Sequence, residues 1–330
     1  MYATIPEDPG YAFFLNLHTH KDVDKVIVFY QELNSPDPTS FMNITAETYP
    51  YHGLEWKAAR AVHSALILGL KPDTQYLTKV FYNNQFWTNA IYKTLPDNNS
   101  RPIRIINGGD SGYTRAAINL TRIAATLKPD LFVMGGDIAY DDNMPACAYT
   151  WDYFLGMYGQ LTATLGYLMP IISVVGNHDV GLNELPGINI TINNYGPAYF
   201  LYFPQHYDRN LDGHVIKRIP PLSHRRTVLE YSFANILFMG LDSGYLHHFE
   251  GYFSGHLGIK SNSWSIPLRI TKINSNSWVT MFLSTQFARH SIGIPPDIYM
   301  PSSIGCPTSI NTKSLQFSKI MSTPSKERSL

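Results

Sequence analysis

Three short apolar runs near the middle of the chain, IRIIN from Ile103, DLFVMGG from Asp130 and PIISVVGN from Pro170, each run out into glycine beside Asp110, Asp137 or Asn177. Two segments of helical period separate them. Arg115 to Lys128 sets Ile118, Leu120, Ile123 and Leu127 on one stripe that Pro129 ends, and Trp151 to Leu168 reads as a second helix. The order is therefore β-α-β-α-β, a layered unit with neighbouring parallel strands. Each oxygen-bearing side chain falls at the carboxyl end of a strand, the edge where open α/β sheets carry their sites. Two further strands are expected at VLEYSFA and NILFMGLDSG, which carries the layered core to Tyr245.

Upstream the period is different. From Tyr11 to Thr94 the runs YAFFLNLHT, KVIVFYQE and TQYLTKVFY are rich in β-branched and aromatic residues and are separated by Pro, Asp, Asn and Gly clusters. That spacing predicts a small β-sandwich. LGLKPDTQY, from Leu68 to Tyr76, reads as the turn into a late strand of a fibronectin type III-like domain, with Tyr76 as its tyrosine corner. A first strand is missing ahead of Tyr11 on this reading, and LPDNNSRP, from Leu95 to Pro102, is the linker. The expected divisions are 1–98 for the sandwich, 101–250 for a partial catalytic domain, and 251–330 unassigned, because that last stretch shows no convincing period.

The chemistry sits in Gly109-Asp110-Ser111-Gly112, Gly136-Asp137-Ile138-Ala139-Tyr140 and Gly176-Asn177-His178-Asp179. Carboxylates are hard oxygen donors suited to Fe, Mn, Mg or Zn, and one carboxylate can bridge two ions roughly 3.5–4 Å apart. Taken singly each motif reads equally well as a turn or a helix cap. Their order, each at a strand end in one α/β unit, points to a two-metal hydrolase.

Together, and behind a fibronectin-like domain, these motifs resemble the purple acid phosphatases of the calcineurin-like metallophosphoesterase superfamily, over about Tyr11 to Gly244. The resemblance implies a sandwich followed by a four-layer α/β/β/α metallophosphoesterase domain, incomplete at its C-terminus. It implies Asp110 and Tyr140 on a first metal, Asp137 as the bridge and Asn177 on a second. The expected cofactor is a dinuclear centre, Fe(III) with Fe, Zn or Mn. His178 is expected to contact the substrate phosphate and to help protonate the leaving oxygen. The implied reaction is hydrolysis of a phosphate monoester. A phosphodiesterase, or a pseudophosphatase that binds through its sandwich, are the alternatives.

The family pattern also requires three later histidines, two of them in Gly-His-x-His or Asn-His-x-His, and no such motif is present. His247, His248, His256 and His290 read as loop residues, so the chain is expected to be a weak enzyme. Beginning each codon of Asn311 to Arg328 at the third base of the old one permits YKVxxVFENHEHTFKRT, which contains Asn-His-x-His. A shifted reading frame over the C-terminal stretch is the expectation that follows.

The totals narrow the partners. Lys+Arg and Asp+Glu both stand at 25, so no net field draws the chain to nucleic acid. No run approaches the roughly 18–20 apolar residues of a membrane span, and MYATIPEDPG shows no signal peptide. Cys147 and Cys306 allow one bridge or none, and Asn43, Asn98, Asn119 and Asn189 stand in glycosylation sequons. The family resemblance implies a secreted, lumenal or lysosomal glycoprotein. Oligomeric state is not legible in the sequence.

Overall fold

The computed structural model describes residues 1–51, 59–112, 114–142, 147, 149–180, 198–242 and 278–284. The N-terminal part contains β1 (Tyr2–Thr4), β2 (Phe13–His20), β3 (Val26–Glu32), β4 (Met42–Thr45), β5 (Glu47–Tyr51), β6 (Arg60–Ile67), β7 (Gln75–Tyr82) and β8 (Gln85–Lys93). They make a sandwich. One sheet runs β4-β3-β7-β8, and β5-β6-β2-β1 belong to the other. Val26 and Val28 of β3 and Tyr76, Thr78 and Val80 of β7 are buried, while the residues between them are half-exposed, as period-2 alternation requires. The Tyr76 hydroxyl accepts the Lys71 backbone N–H at 2.8 Å, the upstream tie expected of a tyrosine corner.

The strand expected to be missing ahead of Tyr11 is present as β1. Its three residues lie just ahead of Pro6 and Pro9, too short for any period to register. Its placement matters more than its length. β1 pairs antiparallel with β2 and parallel with a catalytic strand, Ala3 opposite Pro170 and Thr4 opposite Ile171. One seven-stranded sheet therefore runs from the sandwich into the α/β layer.

That layer contains β9 (Ile105–Gly108), α1 (Arg115–Thr126), β10 (Leu131–Met134), α2 (Tyr149–Leu165) and β11 (Pro170–Ser173). β11, β10 and β9 lie side by side and parallel. Next come α3 (Asn177–Val180), α4 (Ala198–Tyr202), the small ribbon of β12 (Asp208–Arg209) and β13 (Val215–Ile216), then β14 (Leu229–Phe233), β15 (Ile236–Asp242) and β16 (Trp278–Ser284). β14-β15-β16 form a second sheet. It meets the first closely, because a Cβ built on Gly240 of β15 would stand 3.1 Å from Val174 Cγ2. The strand β16 lies inside the stretch that carries no readable period, and it pairs parallel with β15. The rest of 251–330 lies outside the described residues.

Thr114 caps α1 by accepting the Ala117 N–H at 3.0 Å. The buried face of α1 differs from the expected stripe. Ala117, Thr121, Ala124 and Ala125 are buried, whereas Ile123 is 55% exposed and Leu127 47% exposed. Ile118 of that stripe does pack against the core, but small side chains let a helix approach its neighbour closely, so ranking positions by hydrophobicity placed Ile123 and Leu127 on the wrong face. In α2 the burial is orthodox, with Trp151, Phe154, Met157, Tyr158 and Leu161 on one side.

Candidate metal centre

Register brings the three motifs to one edge: Met134 lies opposite both Gly108 and Ser173, so β9, β10 and β11 end together. The loops leaving that edge are bonded to each other. The Asp110 N–H donates to Gly136 O at 3.0 Å and the Ser111 N–H to Asp137 O at 3.1 Å. Asp110, Asp137, Tyr140 and Asp142 all take positive φ, of 51°, 51°, 58° and 50°. Non-glycine residues seldom adopt this region, and its clustering marks a functional edge. Two glycines are required by proximity: a Cβ on Gly136 would lie 2.8 Å from Gly176 Cα, and one on Gly176 would lie 2.2 Å from the Asp137 Oδ1.

Asp110, Asp137, Tyr140 and His178 converge. The Tyr140 hydroxyl donates to Asp110 Oδ1 at 3.1 Å, and Asp137 Oδ1 accepts the His178 N–H at 3.0 Å. The Tyr140 and His178 rings lie 4.5 Å apart. Asn177 opens α3 on the adjacent loop, and its side chain is outside the described residues. His247, His248, His256 and His290 are also outside them.

Two residues of this edge were given no role from the sequence. Asp142 Oδ1 meets His178 Nδ1 at 2.6 Å, and the Asp142 N–H returns to His178 O at 3.0 Å. This fixes the ring and directs Nε2 away from the carboxylate. Asp179 is fully buried and accepts three backbone N–H groups, from Asp137, Ile138 and Gly176, each at 2.8 Å. It ties the Asp137 loop to the Asn177 loop. The only signal in the sequence was position: Asp142 stands two residues after Tyr140, and Asp179 directly follows His178.

The electrostatics follow from burial among like charges. Burial lifts the Asp137 carboxyl above its ordinary value, opposed by the His178 N–H and reinforced by Asp110 and Asp142. Burial, then Asp137 and Asp110, push the Tyr140 phenol well up. Burial works against a charged His178, yet the Asp142 hydrogen bond and the charges of Asp137, Asp142 and Asp179 raise it on balance. Burial and Asp137 also raise Asp179. No Lys or Arg ion pair to Asp110, Asp137 or Asp179 occurs among the described residues. Hard oxygen donors with surplus negative charge fit one side of a centre for a high-valent cation. No full cluster of three or more His, Cys, Asp and Glu ligands is assembled among the described residues.

A fold of this kind, with acids on a shared strand edge, defines a metal-dependent phosphoesterase class. The family model for calcineurin-like phosphoesterases matches residues 72–272, most of the chain, and the chain belongs to that family. It is similar to purple acid phosphatase 15 of Arabidopsis thaliana, 24% identical over 184 residues, which are 48% of this chain and 33% of that protein. The chain thus spans about a third of the length of that relative. Among solved structures, purple acid phosphatase PPD1 from yellow lupin (Lupinus luteus) seeds overlaps with 72% of this chain and 43% of that chain, at a TM-score of 0.48 and 14% identity. PhoD overlaps with 72% of this chain and 50% of that one, at 0.46 and 13%. No described helix is long and apolar enough to cross a membrane.

Proposed function

We propose that the protein is built to hydrolyse phosphate monoesters at a dinuclear metal centre, in the manner of a purple acid phosphatase. The observation that carries this reading is the contact of Tyr140 with Asp110 on the edge that also holds Asp137 and His178. Asp110 and Tyr140 would hold the first ion, iron, through carboxylate and phenolate oxygens. Asp137 would be shared, and Asn177 would hold the second ion, Fe, Zn or Mn. Bound there, the pair would lower the pKa of water and stabilise charge on the phosphoryl oxygens. His178, oriented by Asp142, would present Nε2 to the substrate phosphate and hand a proton to the leaving oxygen. Residues 1–98 would form a fibronectin type III-like unit and 101–250 the catalytic unit, in a secreted or lumenal glycoprotein.

That the sequence contains no Gly-His-x-His or Asn-His-x-His motif favours a second reading for this particular sequence, an impaired enzyme or pseudophosphatase. Weak turnover of p-nitrophenyl phosphate and no phenolate-to-iron absorption band are expected of it. Transcript sequence that restores an Asn-His-x-His frame would assign the defect to the reading frame rather than to the protein's evolution.

Metal analysis tests the primary reading. Asp137→Ala should lose both ions, whereas Asn177→Ala should weaken mainly the second, in whichever chain retains activity. Two ions per chain in the Asp137 variant would overturn the bridge.

A further inference from the structure

The outer face of the β4-β3-β7-β8 sheet carries an aromatic row that the phosphatase reading does not use. Phe29 and Phe81 have ring centroids 5.2 Å apart, Phe81 and Phe86 5.6 Å apart, and Phe86 is 53% exposed. Lys79 lies on the same face, opposite Phe29, with its Nζ 4.2 Å over the Phe41 ring. Apolar groups grouped in this way on an open sheet face need a cover or mark a contact.

The edge strand beside them supplies the cover. Asn43 pairs directly with Phe29, so the two side chains leave the same face of the sheet. Alternation puts Phe41 and Thr45 on that face too, two residues before and two after Asn43. Asn43, Ile44 and Thr45 form an Asn-x-Thr sequon, and Asn43 and Thr45 are both exposed.

We propose that Asn43 is N-glycosylated and that the first sugars of its glycan lie over Phe41 and Phe29, closing the aromatic face. The donor is a lipid-diphosphate-linked oligosaccharide. The Asn43 Nδ2 bonds to the anomeric carbon of the first sugar as the bond from that carbon to the diphosphate oxygen breaks. Nδ2 gives up one proton, and the lipid diphosphate leaves with the electron pair.

The other described sequons differ in setting. Asn119 lies within α1, and its Thr121 is buried with the hydroxyl donated to Ala117 O at 2.8 Å. Asn98 is exposed in the linker, where its side chain accepts the Ser100 N–H at 2.9 Å, with none of the aromatic row beside it. A glycan at Asn98 would therefore leave the aromatic face as it is.

The full chain, given a secretory leader and expressed in a eukaryotic host, provides the test. Peptide mapping after enzymatic glycan release in heavy-oxygen water should label Asn43 as Asp in most molecules, and Thr45→Ala should abolish the label. Removing the glycan from native protein should raise binding of an apolar fluorescent dye several-fold or induce self-association, whereas Asn98→Gln should change neither. An unoccupied Asn43 in secreted protein would overturn the proposal, as would unchanged dye binding and unchanged association state after release. If the chain is retained in the cell, translation with microsomal membranes reads the same occupancy before folding is at issue. Metal content plays no part in the readout, so this test and that of the proposed phosphatase chemistry fail separately.

Discussion

Two acidic regions of the molecule solve opposite problems. Where the N-terminal segment meets the ribbon of β12 and β13, each carboxylate has a cation: Glu7 meets Arg226 at 2.8 Å and Arg209 at 3.4 Å, and Asp8 meets Lys217 at 2.7 Å. Asp208 holds His224 at 2.8 Å and Arg218 Nε at 2.7 Å. Burial works against ionisation of Asp208, yet these partners keep its carboxyl below its ordinary value. At the strand edge the carboxylates of Asp110, Asp137 and Asp179 meet backbone amides and the Tyr140 hydroxyl instead, and burial raises Asp137 and Asp179. Equal numbers of acids and bases over the whole chain conceal this division. One region is neutralised from within, and the other has no Lys or Arg ion pair among the described residues.

The sharpest way to break that contrast is at Asp179. Asp179→Ala strands three N–H groups, two of them in buried hydrogen bonds and one in a part-buried one, each worth about 1–3 kcal/mol when unsatisfied in the interior, and should destabilise the protein by about 4 kcal/mol in urea unfolding. A variant of unchanged midpoint and slope would show that the two loops are held together by other contacts. At the neutralised region, Glu7→Ala removes the partner of Arg226 and the acceptor of the Tyr207 N–H. Both side chains of the Glu7 and Arg226 pair are about four-fifths buried, so the loss should be near the lower end for a broken buried pair, about 3 kcal/mol. If Glu7→Ala cost less than a surface substitution, the pairing of this region would be incidental to its stability.

The same contrast explains what was legible in the sequence. Asp110, Asp137 and Tyr140 announced themselves because glycine after a buried strand is a local signal, and the strand register delivers them to one edge. Asp142 and Asp179 act on partners 36 and 42 residues away, and no spacing rule reaches that far. The pairs of Glu7 and Asp8 cross about 200 residues and were equally invisible. In the sandwich, composition identified β2, β3 and β7 as β-branched and aromatic runs between turn clusters, and the turn before Tyr76 placed its hydroxyl. It could not find β1, whose three residues gain their meaning from pairing with β11. On α1 the period was right and the face right only at Ile118, because alanine packing depends on a neighbour that the helix sequence does not describe.

The smallest expected effect concerns pH. His206 is almost wholly buried beside that region, with Nδ1 against Tyr207 O at 2.8 Å and Nε2 accepting the Arg226 N–H at 3.1 Å. A neutral ring with its proton on Nδ1 satisfies both contacts, whereas a proton on Nε2 would confront the N–H already there. Burial first, and then the charge of Arg226, pull the imidazole down to about 3. A histidine depressed in the fold and ordinary when unfolded binds its proton earlier in the unfolded chain. Its contribution is complete above the unfolded value of about 6.5 and drains away as pH falls toward the folded value, at up to about 1.4 kcal/mol per pH unit. Between about pH 7 and about pH 5 the loss from this group should be about 2 kcal/mol. His206→Gln removes the titration and should flatten that part of the profile by the same amount, while Glu7→Ala should leave the slope in place on a lower curve. Urea midpoints of the three proteins at the two pH values measure it. A wild-type slope retained by His206→Gln would place the acid sensitivity elsewhere, with His63 the next group to examine, since burial pulls it down to about 4.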